Sequence, residues 1–250
     1  MKYLLLLLIS FSVIAEDNFK VVEEKLKSAL NSDIRTDQEK QRDSNRNAIG
    51  TLKFLGLSDD MKVIELLPGG GWYTKLLAPV LKENGELSVA YGASRVKKNL
   101  IDSNDDFKQV KVLASDAEIY REEGARFYSI KNPDLGTKKV DMVLTFRNYH
   151  NFAENGRKAM NEAAWNALKV GGIYGVVDHT RRHMQSDNDE NRRRIDPVLA
   201  IKEIQQAGFE LVDYSTLHYR PDDQLLYEVG RKTVTGNTDR FTLKFKKVKK

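Results

Sequence analysis

The chain predicts a doubly wound α/β sheet, and two observations carry that fold class. From residue 61 onward, short apolar runs alternate five times with amphipathic stretches, as parallel strands joined by helical crossovers do. The chain then closes with two strand-like segments, and the last, RFTLKFKKV, alternates apolar and polar residues in the manner of an antiparallel strand. Composition agrees: 40% of the 250 residues are apolar, enough to build the core of one generous domain.

The elements follow in order. Val22, Leu26, Ala29 and Leu30, then Ala48, Leu52 and Leu55, recur at helical spacing. Residues 16–57 therefore read as an N-terminal helical segment ahead of an α/β domain over 58–250. The charged stretch Arg35–Asn47 within it reads as a solvated helical face with mixed-sign pairs. Met61–Leu67 is a buried-strand candidate, followed by PGGGW and a helix carrying Leu76, Leu77 and Val80. Glu86–Tyr91 reads as the second strand. Phe107, Val110, Ala114 and Ala117 predict a helix, and Arg126–Ile130 a third strand. Val140–Phe146 is the fourth strand. Met160, Ala163, Ala164, Ala167 and Leu168 stripe the next helix, and Ile173–Val177 is the fifth strand. Asp196 as N-cap and Pro197 as first helical residue start a helix with Val198, Ile201 and Ile204, which Gly208 ends. Phe209–Tyr214 and Arg240–Val248 complete the sheet.

Residues 1–15 stand apart. Lys2, the apolar run Tyr3–Ile14 and the small residue Ala15 predict a signal peptide cut before Glu16. Twelve apolar-type positions fall short of the roughly 20 that a helix needs to span a bilayer, so no stable membrane insertion is expected after cleavage. The expected location is outside the cytoplasm, periplasmic where an outer membrane exists. With no cysteine, disulfides, thiolate metal sites and Cys nucleophiles are excluded. Lys plus Arg number 41 against 36 Asp plus Glu, but five lysines lie in the last seven residues, so the body is nearly neutral. That argues against a nucleic-acid-binding face. Arg192-Arg193-Arg194 and the terminal lysines could grip phosphates or an anionic surface, but such runs are more often solvated faces.

Open α/β sheets bind ligands beyond the carboxyl ends of their strands. There the first strand gives Glu65-Leu-Leu-Pro68-Gly69-Gly70-Gly71-Trp72-Tyr73, an acid and a glycine turn at a helix start. Glycines let backbone amides approach a ligand, and Glu65 could anchor a hydroxyl or an ammonium group. The fourth strand ends in Arg147-Asn148-Tyr149-His150-Asn151, and the fifth in Asp178-His179-Thr180-Arg181-Arg182-His183. Three of the chain's four histidines thus sit beyond two neighbouring strands. They offer proton transfer near neutral pH, with Asp178 to hold a tautomer. His150, Asp178, His179 and His183 could equally form a metal site, since His179 and His183 are spaced i, i+4.

ELLPGGGWYTKLLAP resembles the first motif of class I S-adenosylmethionine-dependent methyltransferases. Through QRDSNRN, LTFRNYHNF, LKVGGIYGVVDH and GNTDRFTLKF, residues 35–248 resemble a group of exported bacterial proteins predicted to be methyltransferases. The resemblance implies a Rossmann-like seven-stranded sheet, mostly parallel, with an antiparallel last strand. It implies S-adenosyl-L-methionine over the loop Pro68, Gly69, Gly70, Gly71 and Tyr73, with Glu65 near its amino-acid end, and a lid that includes Asp43 and Arg46. Three departures from the superfamily pattern stand out. Leu67 occupies the place of the first glycine. Tyr91 and Ser94 stand where an acid would bind ribose, and RNYHN replaces NPPY. Between Asp222 and Gly236 the chain is shorter than in that group, in what reads as a peripheral loop.

The resulting expectation is a methyltransferase acting on a small molecule or an envelope component. His150 is the first choice of base, Asp178 and His179 support it, and Arg147 and Asn148 orient the acceptor. A non-catalytic binding protein on the same fold and a metal-dependent hydrolase are the alternatives.

Overall fold

A computed structural model describes residues 19–249, so the expected signal peptide lies outside the described residues. Helix α1 spans 19–31. Three short helices follow, α2 (Asp37–Lys40), α3 (Asp43–Arg46) and α4 (Ala48–Leu55). Strand β1 (Lys62–Leu66) leads to α5 (Thr74–Leu81), and β2 (Glu86–Ala90) to α6 (Ser94–Val96), which a wider turn over Lys97–Ile101 continues. Next come β3 (Lys111–Leu113), β4 (Glu118–Tyr120), β5 (Ser129–Lys131) and β6 (Val140–Phe146). The chain finishes with α7 (Glu154–Ala167), β7 (Leu168–His179), α8 (Pro197–Gln206), β8 (Phe209–Ser215) and β9 (Arg240–Lys247).

Seven strands form one sheet in the order β3-β2-β1-β6-β7-β9-β8. Strands β1, β2, β3, β6 and β7 pair in parallel, and β9 runs antiparallel between β7 and β8. The predicted fold class is therefore the observed one. Alternate strand residues feed two cores. Val63, Met142 and Leu144 join α1, α4 and α5 on one face, whereas Ile64, Val143 and Val176 join α7 and α8 on the other. Residues 19–57 thus share a core with the sheet. At Gly175 of β7 an added Cβ would stand 2.8 Å from Leu55, so glycine is what lets α4 lie this close.

Two sequence expectations fail in the middle of the chain. Phe107, Val110, Ala114 and Ala117 do not share a helix. Phe107 closes a single 3-10 turn, Val110 precedes β3, and Ala114 follows that strand with φ +50°. The crossover helix lies earlier, where Val96, Leu100 and Ile101 are buried, and the charged Lys97-Lys98 between them masks its stripe. The predicted third strand is only Ser129–Lys131, which pairs with β4 in a separate two-stranded sheet. Three apolar-type residues are too few for either period to declare itself.

Candidate functional site

At the carboxyl edge of the sheet, chain direction is set by an unusual repeat. The residue after each of β1, β2, β3 and β6, namely Leu67, Tyr91, Ala114 and Arg147, has φ between +50° and +60°. For non-glycine residues that region costs about 1–2 kcal/mol each. The ladder still holds to the last residue: Leu67 N–H donates to Ala90 C=O (2.8 Å) and Arg147 N–H to Val177 C=O (2.7 Å). Asn148 braces the two central ends, its amide donating to the carbonyls of Leu67 (3.1 Å) and Phe146 (3.0 Å). The turn that glycine would make is thus made with Leu67, held by a neighbouring strand.

Two cavities open over this edge. The first, about 460 Å³, is lined by Glu65, Leu67, Pro68, Gly69, Gly70, Tyr73, Arg95, Asn99 and Asn148 among others. Its floor is the glycine turn. At Gly69 a Cβ would meet nothing within 4 Å, and at Gly70 only the far end of Arg95 (3.9 Å), so both backbones face open space. Gly71 has another duty: at φ +83° its added Cβ would strike Val96 (2.8 Å), so it admits the crossover helix rather than a ligand. Glu65 is 3% exposed and accepts a 2.6 Å hydrogen bond from Thr74. Burial raises its pKa to about 7 against the opposite pulls of Thr74 and Arg46.

The second cavity, about 630 Å³, lies beside it over β6, β7 and the start of β9. His150, on a 3-10 turn after β6, is held from both sides. Asp178 Oδ2 accepts its backbone N–H (2.9 Å), and Asp178 Oδ1 lies 2.5 Å from its Nδ1. A carboxylate only accepts, so Nδ1 carries the proton of this bond, and the His150 side chain lines the cavity. The adjacent Tyr149 is fully buried and anchors the turn. Its hydroxyl donates to Glu203 (3.1 Å) and accepts from Asn161 (2.8 Å), while Arg157 grips the same Glu203. His179 bonds Thr238 at 2.9 Å, and burial, with His150 and three arginines nearby, holds its pKa well below the usual value.

The structure brings Glu65, Pro68, Gly69, Gly70, Tyr73 and Asn148 to the first cavity, His150 and His179 to the second, and Arg147 to both. Asp178 lies behind His150. It leaves Tyr91 out: the ring is buried and the hydroxyl donates to the Pro133 carbonyl. Nor does the four-residue metal set assemble. His183 turns away to Asp196 (2.9 Å), and among the described residues no three of His, Asp or Glu are placed to hold an ion.

Three readings as solvated surface are corrected. Arg35 and Arg46 are buried, packed 5.1 and 4.4 Å from the Trp72 ring. Asp43 faces Arg35, so of the two lid residues Arg46 alone lines the cavities. Arg194 is buried in a bidentate pair with Asp223 (2.8 and 3.0 Å). The loop between Asp222 and Gly236 is not peripheral: Val229, Gly230 and Thr235 line the second cavity. Sequence reasoning missed Arg240, Thr238, Arg95 and Asn99, and took Arg193 as part of a run that is more often solvated, whereas it lines the second cavity. Thr238 and Arg240 belong to the GNTDRF segment that leads into β9, but nothing in that segment marks either as a cavity residue.

No family model matches the chain, and no curated protein matches it in sequence. Solved structures do match in shape. One is a SAM-dependent methyltransferase from Aquifex aeolicus, with TM-score 0.56 and 13% identity over 89% of this chain and 97% of that one. Another is an S-adenosylmethionine-dependent methyltransferase from Clostridium acetobutylicum, with TM-score 0.51 and 14% identity over 86% and 94%. The chain has a methyltransferase-type fold. A third match, the [4+2]-cyclase SpnF, shows TM-score 0.54 and 13% identity over 82% and 80%. A methyltransferase-type fold therefore does not by itself fix the reaction, which the cavities must argue.

Proposed function

We propose that the protein is an S-adenosylmethionine-dependent methyltransferase. The observation that carries this reading is the first cavity, where an open Gly69-Gly70 floor meets the buried Glu65 carboxylate beside a second chamber holding the His150–Asp178 pair. The residues fit the cofactor. Glu65 suits an ammonium group and Arg46 a carboxylate, and Asn99 adds an amide to the same wall. The volume is within the roughly 300–1,000 Å³ of small-molecule sites. When bound, S-adenosylmethionine supplies a sulfonium methyl group, so the acceptor gains a bond to that carbon as the carbon–sulfur bond breaks and its electrons stay on sulfur.

The protein's part is alignment and proton removal. Asp178 fixes the His150 ring, and Nε2 takes the proton of an acceptor hydroxyl or amine. His179, kept neutral by burial, forms the wall with Thr238. Arg147 and Asn148 set the border between the chambers, since Asn148 is tied to both strand ends.

Calorimetric titration with S-adenosylhomocysteine tests the reading. Micromolar affinity, about −8 kcal/mol, is expected. No heat and no thermal shift would favour the second reading, a non-catalytic binding protein, to which the displaced Tyr91 points. We also propose export, on the strength of residues 1–15, with a small molecule or an envelope component as substrate. Cell fractionation with N-terminal sequencing should give a periplasmic or secreted protein beginning at Glu16. Among the described residues no helix is long and apolar enough to cross a membrane.

A further inference from the structure

The second cavity is lined by five arginines, Arg42, Arg46, Arg147, Arg193 and Arg240, and by no carboxylate. Arg193 is paired with Glu228. Among the described residues Arg46, Arg147 and Arg240 have no acidic partner within ion-pair distance. Arg46 and Arg240 are 7% and 5% exposed, and the Nε of each is buried with no hydrogen-bond partner. The nearby carboxylate, Asp178, is already taken up by the His150 ring and by the backbone N–H groups of His150 and His179. Guanidinium groups withdrawn from water without a counter-charge are costly to hold, and these three also repel one another. Burial and that repulsion lower the pKa of Arg46 to about 9 and that of Arg240 to about 10.

One anion does not balance this set. Arg46 and Arg147 line both cavities and can face a carboxylate in the first, whereas Arg240 lines only the second. We infer that the second cavity takes an acceptor bearing a carboxylate or phosphate group, held by the Arg240 side of the chamber, together with a hydroxyl or amine presented to His150. This rests on the methyltransferase reading of the first cavity. The anion is the handle and not the nucleophile, because a base such as His150 serves an acceptor that carries a proton, which an oxyanion does not. Arginine rather than lysine throughout matches planar, forked recognition of such a group.

The test uses glycerate, glycerol 3-phosphate and glycerol, which share hydroxyls and differ in the anionic group. Each is titrated calorimetrically into the full protein saturated with S-adenosylhomocysteine. The anions should bind at least tenfold more tightly than glycerol, and whichever anion binds better names the group. Arg240→Gln should weaken the preferred anion at least tenfold and Arg240→Lys less, with S-adenosylhomocysteine affinity within twofold of wild type in both. Because Arg240 also donates to the Asn45 carbonyl (2.6 Å), thermal melts check the fold, and Arg193→Gln replaces it if Arg240→Gln unfolds. Anions that bind no better than glycerol, or as well to the arginine variant as to wild type, overturn the inference. If the anions bind while S-adenosylhomocysteine does not, the anion site stands and the methyltransferase reading falls.

Discussion

The two cavities share a wall yet are built in opposite ways. The first is built around one stretch: Glu65, Leu67, Pro68, Gly69, Gly70 and Tyr73 lie within nine residues that β1 delivers as one turn, and Arg46, Arg95, Asn99 and Asn148 close the walls around it. The second is assembled across the chain, from Arg46 before the sheet begins, His150 and His179 after two strands, and Arg240 at the start of the last. Only the first cavity carries a buried acid, Glu65, and only the second adds the buried Arg240 to the arginines that the two share. A motif displays the former to a reader of sequence and hides the latter.

The sharpest way to separate the cavities is to break one. His150→Ala should lower the rate of methyl transfer by about 10²–10⁴, the range for loss of a general base. His150 lines only the second cavity of the two, so S-adenosylhomocysteine affinity should not move. Unchanged turnover would remove His150 from the mechanism.

The wall common to both is held by His218. Its Nε2–H donates to the Arg46 carbonyl (3.0 Å), and Nδ1 meets the Thr242 hydroxyl (2.7 Å). Burial first, then Arg240 and Arg220, lowers its pKa to about 4, against the favourable Arg46 carbonyl. The unfolded chain therefore binds more protons than the folded one between about pH 4 and 6.5. Stability from His218 is complete above about 6.5 and falls on acidification by on the order of 3 kcal/mol. Glu65 acts oppositely, since a raised pKa gives stability below 4.5 that is lost as pH rises through about 7. Urea unfolding of wild type and His218→Asn across this range isolates the histidine: the stability difference should shrink toward pH 4. A constant difference would show that His218 does not titrate in this way.

Why one cavity was legible follows from these residues. Strands β1, β2 and β6 are buried on both faces, so each reads as an apolar run with its functional residues at its end or just beyond it. That places Glu65, Arg147 and His150 without any tertiary knowledge. Arg46 sits in a stretch whose charges alternate in sign, and only its contacts with Trp72 and the His218 hydrogen bond, 172 residues away in sequence, show it to be buried. Arg240 is a charged residue at the end of an alternating strand, indistinguishable from Lys246 until β9 is placed against β7. The short β3 failed for a different reason, because three residues carry no period.

Glu65 sharpens the contrast from the other side. Glu65→Gln should weaken S-adenosylhomocysteine by about 10–100-fold at pH 8, the worth of a charged hydrogen bond, and leave anion binding in the second cavity intact. In the wild type the ligand-free carboxyl keeps its proton up to about pH 7 and must release it to pair with an ammonium group. Affinity should then rise with pH up to about 7, with proton release visible as a buffer-dependent heat. The same slope in Glu65→Gln would exclude this acid as its source.

The smallest expected effect concerns the backbone beneath the first cavity. Leu66 and Leu67 are adjacent and chemically identical, yet Leu66 is 1% exposed within β1 while Leu67 is half-buried at φ +56°. Leu66→Ala should cost about 2–5 kcal/mol, as deletions from a packed core do. Leu67→Gly relieves roughly 1–2 kcal/mol of left-handed strain. It loses some side-chain packing and adds about 0.5–1 kcal/mol of unfolded-state freedom. These nearly cancel, so its unfolding free energy should lie within about 1 kcal/mol of wild type. A loss as large as that of Leu66→Ala would mean that the Leu67 side chain, and not the Asn148 brace, holds the turn. In that case the leucine is a built part of the cavity wall rather than a strained stand-in for glycine.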